Sequence, residues 1–247
     1  MATERTFRDI AVSFNHVRRH VVHIGLIGGI GPAATEFYYR GLVARHAASA
    51  KPMELTIVHA DVRELSRNAA AGDAQKQARI FLSLVQRLAS AGAETAAITS
   101  IGGHFCVAEL VAVSPIPILD AIPEIAEWIR RQGLKTIGLL GTATVMRTRL
   151  YGGISSASVV VPEGDALDKV HRTYIAMALS GKVTEEARTE LFSIGQSLCR
   201  DQGAEVVLLA GTDLFLAFDG RACGFPVADC AEIHMDALHR ASVAEAP

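Results

Sequence analysis

Ile24-Gly25-Leu26-Ile27-Gly28 is an apolar run that enters a glycine-rich turn, Gly29-Ile30-Gly31-Pro32, and the run returns later as Ile137-Gly138-Leu139-Leu140-Gly141. Two further pairs keep the same order. Gly92-Ala93-Glu94 before an apolar run returns as Gly203-Ala204-Glu205 before another. Pro115-Ile116-Pro117-Ile118-Leu119-Asp120 is echoed by Gly224-Phe225-Pro226-Val227-Ala228-Asp229. The offsets are 113, 111 and 109 residues, so one duplication with small gaps accounts for all three.

Around these anchors each half reads as strands alternating with helices. In the first, strands at 23–27, 55–59 and 95–99 are separated by helices at 32–47 and 72–91, with a short helix at 104–112. In the second, a helix at 122–132 precedes strands at 136–140, 158–161, 206–210 and 226–228. Helices are expected at 143–151, 165–178, 184–202 and 230–244. Continuously apolar strands alternating with helices imply parallel sheets covered on both faces. The fold class is therefore α/β, with two pseudo-symmetric halves and a cleft between them. The expected division is an N-terminal arm at 1–20, a first half at 21–115 plus 226–247, and a second half at 116–225.

Composition narrows the functional classes. The 247 residues are half hydrophobic and carry a formal net charge of −2, with no basic stripe to hold nucleic acid. The longest apolar runs are far too short to span a bilayer. The first twenty residues contain arginines and acids but no apolar stretch of the signal-peptide kind, so a cytoplasmic protein is expected. The four cysteines form no C-x-x-C pair, and Cys223 and Cys230 are poorly spaced for zinc. No metal is expected.

Parallel sheets bind ligands beyond the carboxyl ends of their strands. The turn Gly28-Gly29-Ile30-Gly31-Pro32-Ala33-Ala34 contains G-x-G-x-x-A before a helix, which would suit a dinucleotide. The acid expected about 20 residues on for that role is missing. A tight turn open to any carboxylate is the simpler reading of Gly29, Ile30 and Gly31. The third strand leads into Ser100-Ile101-Gly102-Gly103-His104, and its repeat partner into Gly211-Thr212-Asp213. Ser100, His104 and Asp213 could form a hydrolase triad, although Ser100 lacks a G-x-S-x-G elbow. Helix capping and packing are the plain alternatives for each. Thr142 and Thr144 open the next helix, where they would suit a carboxylate or act simply as caps.

The stretch Ile24 to Thr35 with Phe37-Tyr38-Tyr39-Arg40, and the stretch Ile137 to Tyr151, resemble the opening segments of the two halves of the aspartate/glutamate racemase superfamily. They are nearest to its broad-specificity amino-acid racemase branch, and the resemblance covers roughly residues 21 to 245. It implies cofactor-free chemistry, in which two thiols on opposite sides of a substrate α-carbon remove and return a proton. The first thiol is expected in Cys-Asn-Thr-x-His, where this chain has Ser100-Ile101-Gly102-Gly103-His104. The second is expected in Gly-Cys-Thr-Glu, where it has Ala210-Gly211-Thr212-Asp213. Some relatives carry threonine at the first position, and decarboxylases of the superfamily keep only the second thiol. This chain has neither. Ser100 is a poor base without a partner and Gly211 carries no side chain, so two-thiol racemisation by these positions is ruled out.

Cys106 and Cys230 are candidates for a relocated thiol, with Cys230 better placed at a strand end. The resemblance also sets Arg67 in a loop near a substrate carboxylate. The glycines at 102 and 103, with Ile101, suggest an enlarged pocket with free backbone donors. Three functions remain. The first is an isomerase or lyase moving a proton beside the carboxylate of an amino acid or small diacid, through His104 and Asp213 with help from Ser100. The second is a carboxylate-binding pseudoenzyme, and the third a serine hydrolase. Expected partners are a small carboxylate substrate and a second copy of the chain, the latter through the arm or Trp128.

Overall fold

The computed structural model describes residues 21–244, so the N-terminal arm lies outside the described residues. The first sheet has three parallel strands in the order β2-β1-β3, with β1 Ile24–Gly28, β2 Leu55–His59 and β3 Thr95–Ile98. The second has four parallel strands in the order β5-β4-β6-β7, with β4 Thr136–Gly141, β5 Ser158–Val160, β6 Val206–Ala210 and β7 Val227–Asp229. The central strands β1 and β6 are buried at every position, as sheets covered on both faces require. The edge strand β2 is only partly covered.

The duplication is visible in the strand register. Ile24 lies opposite Thr95, and its repeat partner Ile137 lies opposite Val206. Ala96 bridges Ile118, and the corresponding Val207 pairs with Val227. These pairings also move the domain limits. Residues 116–120 stay with the first sheet through Ile118, while β7 belongs to the second sheet and not, as expected, to the first half. The chain therefore crosses between halves at Asp120 and again at Asp229. Each of these aspartates caps the next helix: Asp120 accepts from the Ile122 N–H at 2.9 Å and Asp229 from the Ala231 N–H at 2.7 Å.

The helices of the first half are α1 Pro32–Ala48, α2 Val62–Ala70, α3 Ala74–Ser90 and α4 Val107–Val111. Those of the second are α5 Ala121–Gln132, α6 Ala143–Arg147, α7 Gly164–Ser180, α8 Glu185–Gln202 and α9 Phe215–Phe218. The last, α10 Cys230–Val243, lies between the halves: Cys230 and Ile233 join the core of the second, and its other face turns to the first. There Ala231, Met235 and Leu238 join the core built on Ile24, Leu26, Tyr38 and Leu42.

Three elements differ from the sequence reading. Residues expected as a loop after β2 form α2, because Asp61 accepts from the Arg63 N–H at 2.7 Å and starts a helix there. The expected helix at 143–151 stops at Arg147, and Arg149, Leu150 and Tyr151 then take positive φ. His104 lies in a 3₁₀ turn, Ile101–Cys106, that precedes α4. Among the described residues no helix is long and apolar enough to cross a membrane.

Candidate active site

The carboxyl ends of β1, β3 and β4 converge on a cleft of about 490 Å³ between the halves. Its floor holds Ile30, Ser100, Gly102, Thr142 and Thr144, five of the residues singled out from the sequence. Two helices form its lips. From the first half, α2 presents Val62, Leu65, Ser66 and Ala69. From the second, α7 presents His171, Tyr174, Ile175 and Ala178. Both sets have the spacing i, i+3, i+4, i+7 that marks one helix face.

Ser100 is 4% exposed, and its hydroxyl makes no side-chain cap bond. It faces a cleft to which the second half contributes the titratable groups. His171 accepts the Ala143 N–H at Nδ1, at 3.2 Å, which leaves the proton on Nε2. Burial, and then Arg147, lower its pKa, so the ring is neutral at pH 7. Tyr174 donates its hydroxyl to Asp213 Oδ2 at 3.3 Å. The other carboxylate oxygen, Oδ1, accepts the Ala34 N–H in the first turn of α1 at 3.2 Å. Asp213 is buried, and burial raises its pKa to about 6. Burial also holds the Tyr174 hydroxyl well above its ordinary value, so it can pass a proton on but does not ionise by itself.

Two glycines make this arrangement possible. A Cβ on Gly31 would collide with the Asp213 carboxylate, so only glycine lets Asp213 reach the start of α1. A Cβ on Gly211 would collide with the ring of Tyr174. The space that the racemase resemblance assigns to the second thiol is therefore filled by a tyrosine from α7. The turn after β1 is also less open to anions than its sequence suggests. The Gly29 N–H donates to Thr35 Oγ1 at 2.8 Å and the Ala34 N–H goes to Asp213, so two donors that a phosphate would need are taken.

Other residues singled out from the sequence do not line the cleft. His104 is 2% exposed and both ring nitrogens are used: Nδ1 donates to the Ser100 carbonyl at 2.7 Å and Nε2 accepts the Ala121 N–H at 3.3 Å. It clasps the crossing between the halves, and burial lowers its pKa. Ile101 packs into the core of the second half, and Gly103 sits against Ile98. Arg67 lies exposed on α2 rather than in a loop, while the arginine at the cleft is Arg147, 3.4 Å from Asp168. Cys230 is buried at the start of α10, where burial and then Asp229 push its thiol pKa far up. Burial drives the Cys106 thiol to about 12. None of the four cysteines lines the cleft. Among the described residues no group of three or more His, Cys, Asp or Glu is arranged to hold a metal ion.

Thr212 ties the halves together. It is 1% exposed and donates to the Thr99 carbonyl at 3.1 Å. Thr212→Val is expected to cost about 1 kcal/mol, the usual worth of such a bond, measured as a lower urea midpoint at unchanged slope.

Residues 27–238 match the family model described as Asp/Glu/Hydantoin racemase. A candidate Asp/Glu racemase from Yersinia pestis superposes with a TM-score of 0.76 at 25% identity, over 90% of this chain and 100% of its own. An aspartate racemase homologue from Pyrococcus horikoshii gives 0.74 at 25%, over 90% and 99%. The aspartate racemase of Picrophilus torridus gives 0.72 at 20%, over 89% and 94%, which shows a shared fold.

Proposed function

The chain belongs to the Asp/Glu/hydantoin racemase family, and from that premise we propose that it is a racemase-like isomerase that moves the proton on a carbon beside a carboxylate without using thiols. The observation that carries the reading is the Tyr174–Asp213 pair beside a cleft bordered by His171, Arg147 and Ser100. Arg147 supplies the positive charge for the substrate carboxylate. Tyr174 Oη takes the α-proton while its own proton passes to Asp213 Oδ2, which is ionised at neutral pH. The charge that develops on the carboxylate oxygens is met by Arg147 and by the His171 Nε2–H, a neutral imidazole acting as donor.

Both titratable groups in this scheme come from α7 and its neighbour Asp213, all in the second half. Among the described residues lining the cleft, the first half offers only the hydroxyls of Ser66 and Ser100. Return of the proton from the Tyr174 side should therefore be fast, and return from the Ser100 side slow. In D2O, with NMR following loss of the α-proton and polarimetry following inversion, exchange into one enantiomer is expected to outrun inversion by about 10²-fold, the usual worth of one positioned acid or base. Equal rates would place a competent base on the first half and sink the one-sided mechanism. No exchange on any amino acid or small diacid would turn the reading towards a binding role.

A further inference from the structure

Taking that isomerase reading as its basis, we infer that the substrate is a monocarboxylate with a bulky apolar side chain, of the leucine or phenylalanine class, and that dicarboxylates are disfavoured. Charge supplies the first argument. Among the described residues lining the cleft, Arg147 is the one cation at neutral pH, since burial keeps His171 neutral, and Arg147 already shares its charge with Asp168. One carboxylate can be matched there. The second carboxylate of aspartate or glutamate would exchange water for the neutral hydroxyls of Ser66, Ser100, Thr142 and Thr144 or for apolar walls, with no second cation to meet its charge, which is costly.

The apolar lips supply the second. Val62, Leu65 and Ala69 of α2 face a strip formed by Ile175, Ala178 and Leu179 of α7. Leu65 is 5% exposed, but Leu179, at the mouth, is 62% exposed. A large apolar side chain left in water beside a cleft gains free energy when a ligand covers it, at roughly 25 cal/mol per Å². The cation and the lips lie in one cavity, so a ligand whose carboxylate meets Arg147 has its side chain to place among the remaining walls. About 490 Å³ is room for a branched or aromatic group, within the range of small-molecule sites.

The test compares leucine, methionine and phenylalanine with aspartate and glutamate on the full-length protein, by α-proton exchange in D2O and by titration calorimetry. The apolar set is expected to exchange faster and bind tighter by at least about tenfold, the scale of one or two buried methylenes. Leu179→Arg, at an exposed position where the fold tolerates charge, is expected to raise glutamate binding about tenfold relative to leucine through a second cation at the mouth. Faster exchange or tighter binding of the dicarboxylates would overturn the inference and leave the isomerase reading standing. Preferential binding of the apolar set without exchange would do the reverse. Neither binding nor exchange by either set would remove both.

Discussion

Asp213→Asn is expected to make the protein more stable at pH 8 and to slow α-proton exchange severely. Burial raises this carboxyl from 3.8 to about 6, so the folded state favours the protonated form. The stability this gives is fully present below about pH 4 and is lost as pH rises through about 6. At pH 8 the wild-type carries a buried charge that asparagine lacks, while its Oδ1 still accepts the Ala34 N–H and its amide can donate to Tyr174. A shift of this size corresponds to roughly 2–3 kcal/mol, or about 5–10 °C in Tm for a chain of this length. At pH 4 the gain should vanish. The asparagine cannot take the Tyr174 proton, so exchange should fall by about 10²–10⁴. For the same reason the wild-type rate should climb through about pH 6. Retained exchange in Asp213→Asn would remove Asp213 from the proton path, and identical melting at pH 8 would show that the wild-type carboxyl carries no buried charge there.

Gly211→Cys, which installs the thiol expected from the racemase resemblance, should destabilise the protein rather than restore chemistry. Its Cβ would meet the Tyr174 ring, and overpacking of this kind costs about 1–3 kcal/mol. Tyr174→Ala alone leaves a cavity and costs about 3–5 kcal/mol. The double variant should cost less than the two single losses added together, because the thiol occupies space the ring has left. A double-mutant cycle by urea denaturation measures this coupling, expected at about 1–3 kcal/mol. Additive losses would mean that Gly211 and Tyr174 do not share that space.

These two variants turn on residues of very different legibility. Asp213 lies just past β6, where the strand-end rule finds it, and Ser100, Thr142 and Thr144 were found the same way. Tyr174 and His171 lie within α7 and Arg147 at the far end of α6, where the strand-end rule does not reach. The only sequence signal for the first two was the spacing of His171, Tyr174, Ile175 and Ala178, which suits equally a stripe packed into a core. The stripe on α2 was hidden further by reading those residues as a loop, where the Asp61 cap was the sign of a helix. A tight turn brings the His104 ring back onto the carbonyl of Ser100, so a position at a strand end does not set a side chain's direction. The duplication, by contrast, was fully legible, since strand pairing preserves the register of the repeated segments.

The path of α10 bears on how the chain is made. The second half runs without interruption from Ala121 to Asp229, whereas the core of the first half is closed by Ala231, Met235 and Leu238. A ribosome releases residues 24–118 long before those three. The N-terminal sheet must therefore wait with Ile24, Leu26, Tyr38 and Leu42 uncovered, while the later-synthesised half already has its own β-strands together. Domains of nascent chains generally fold N-terminal first; here the order of completion runs against the order of synthesis. A stalled nascent chain ending before Cys230 should thus expose an apolar face that chaperones bind, and a chain extended past Val243 should not.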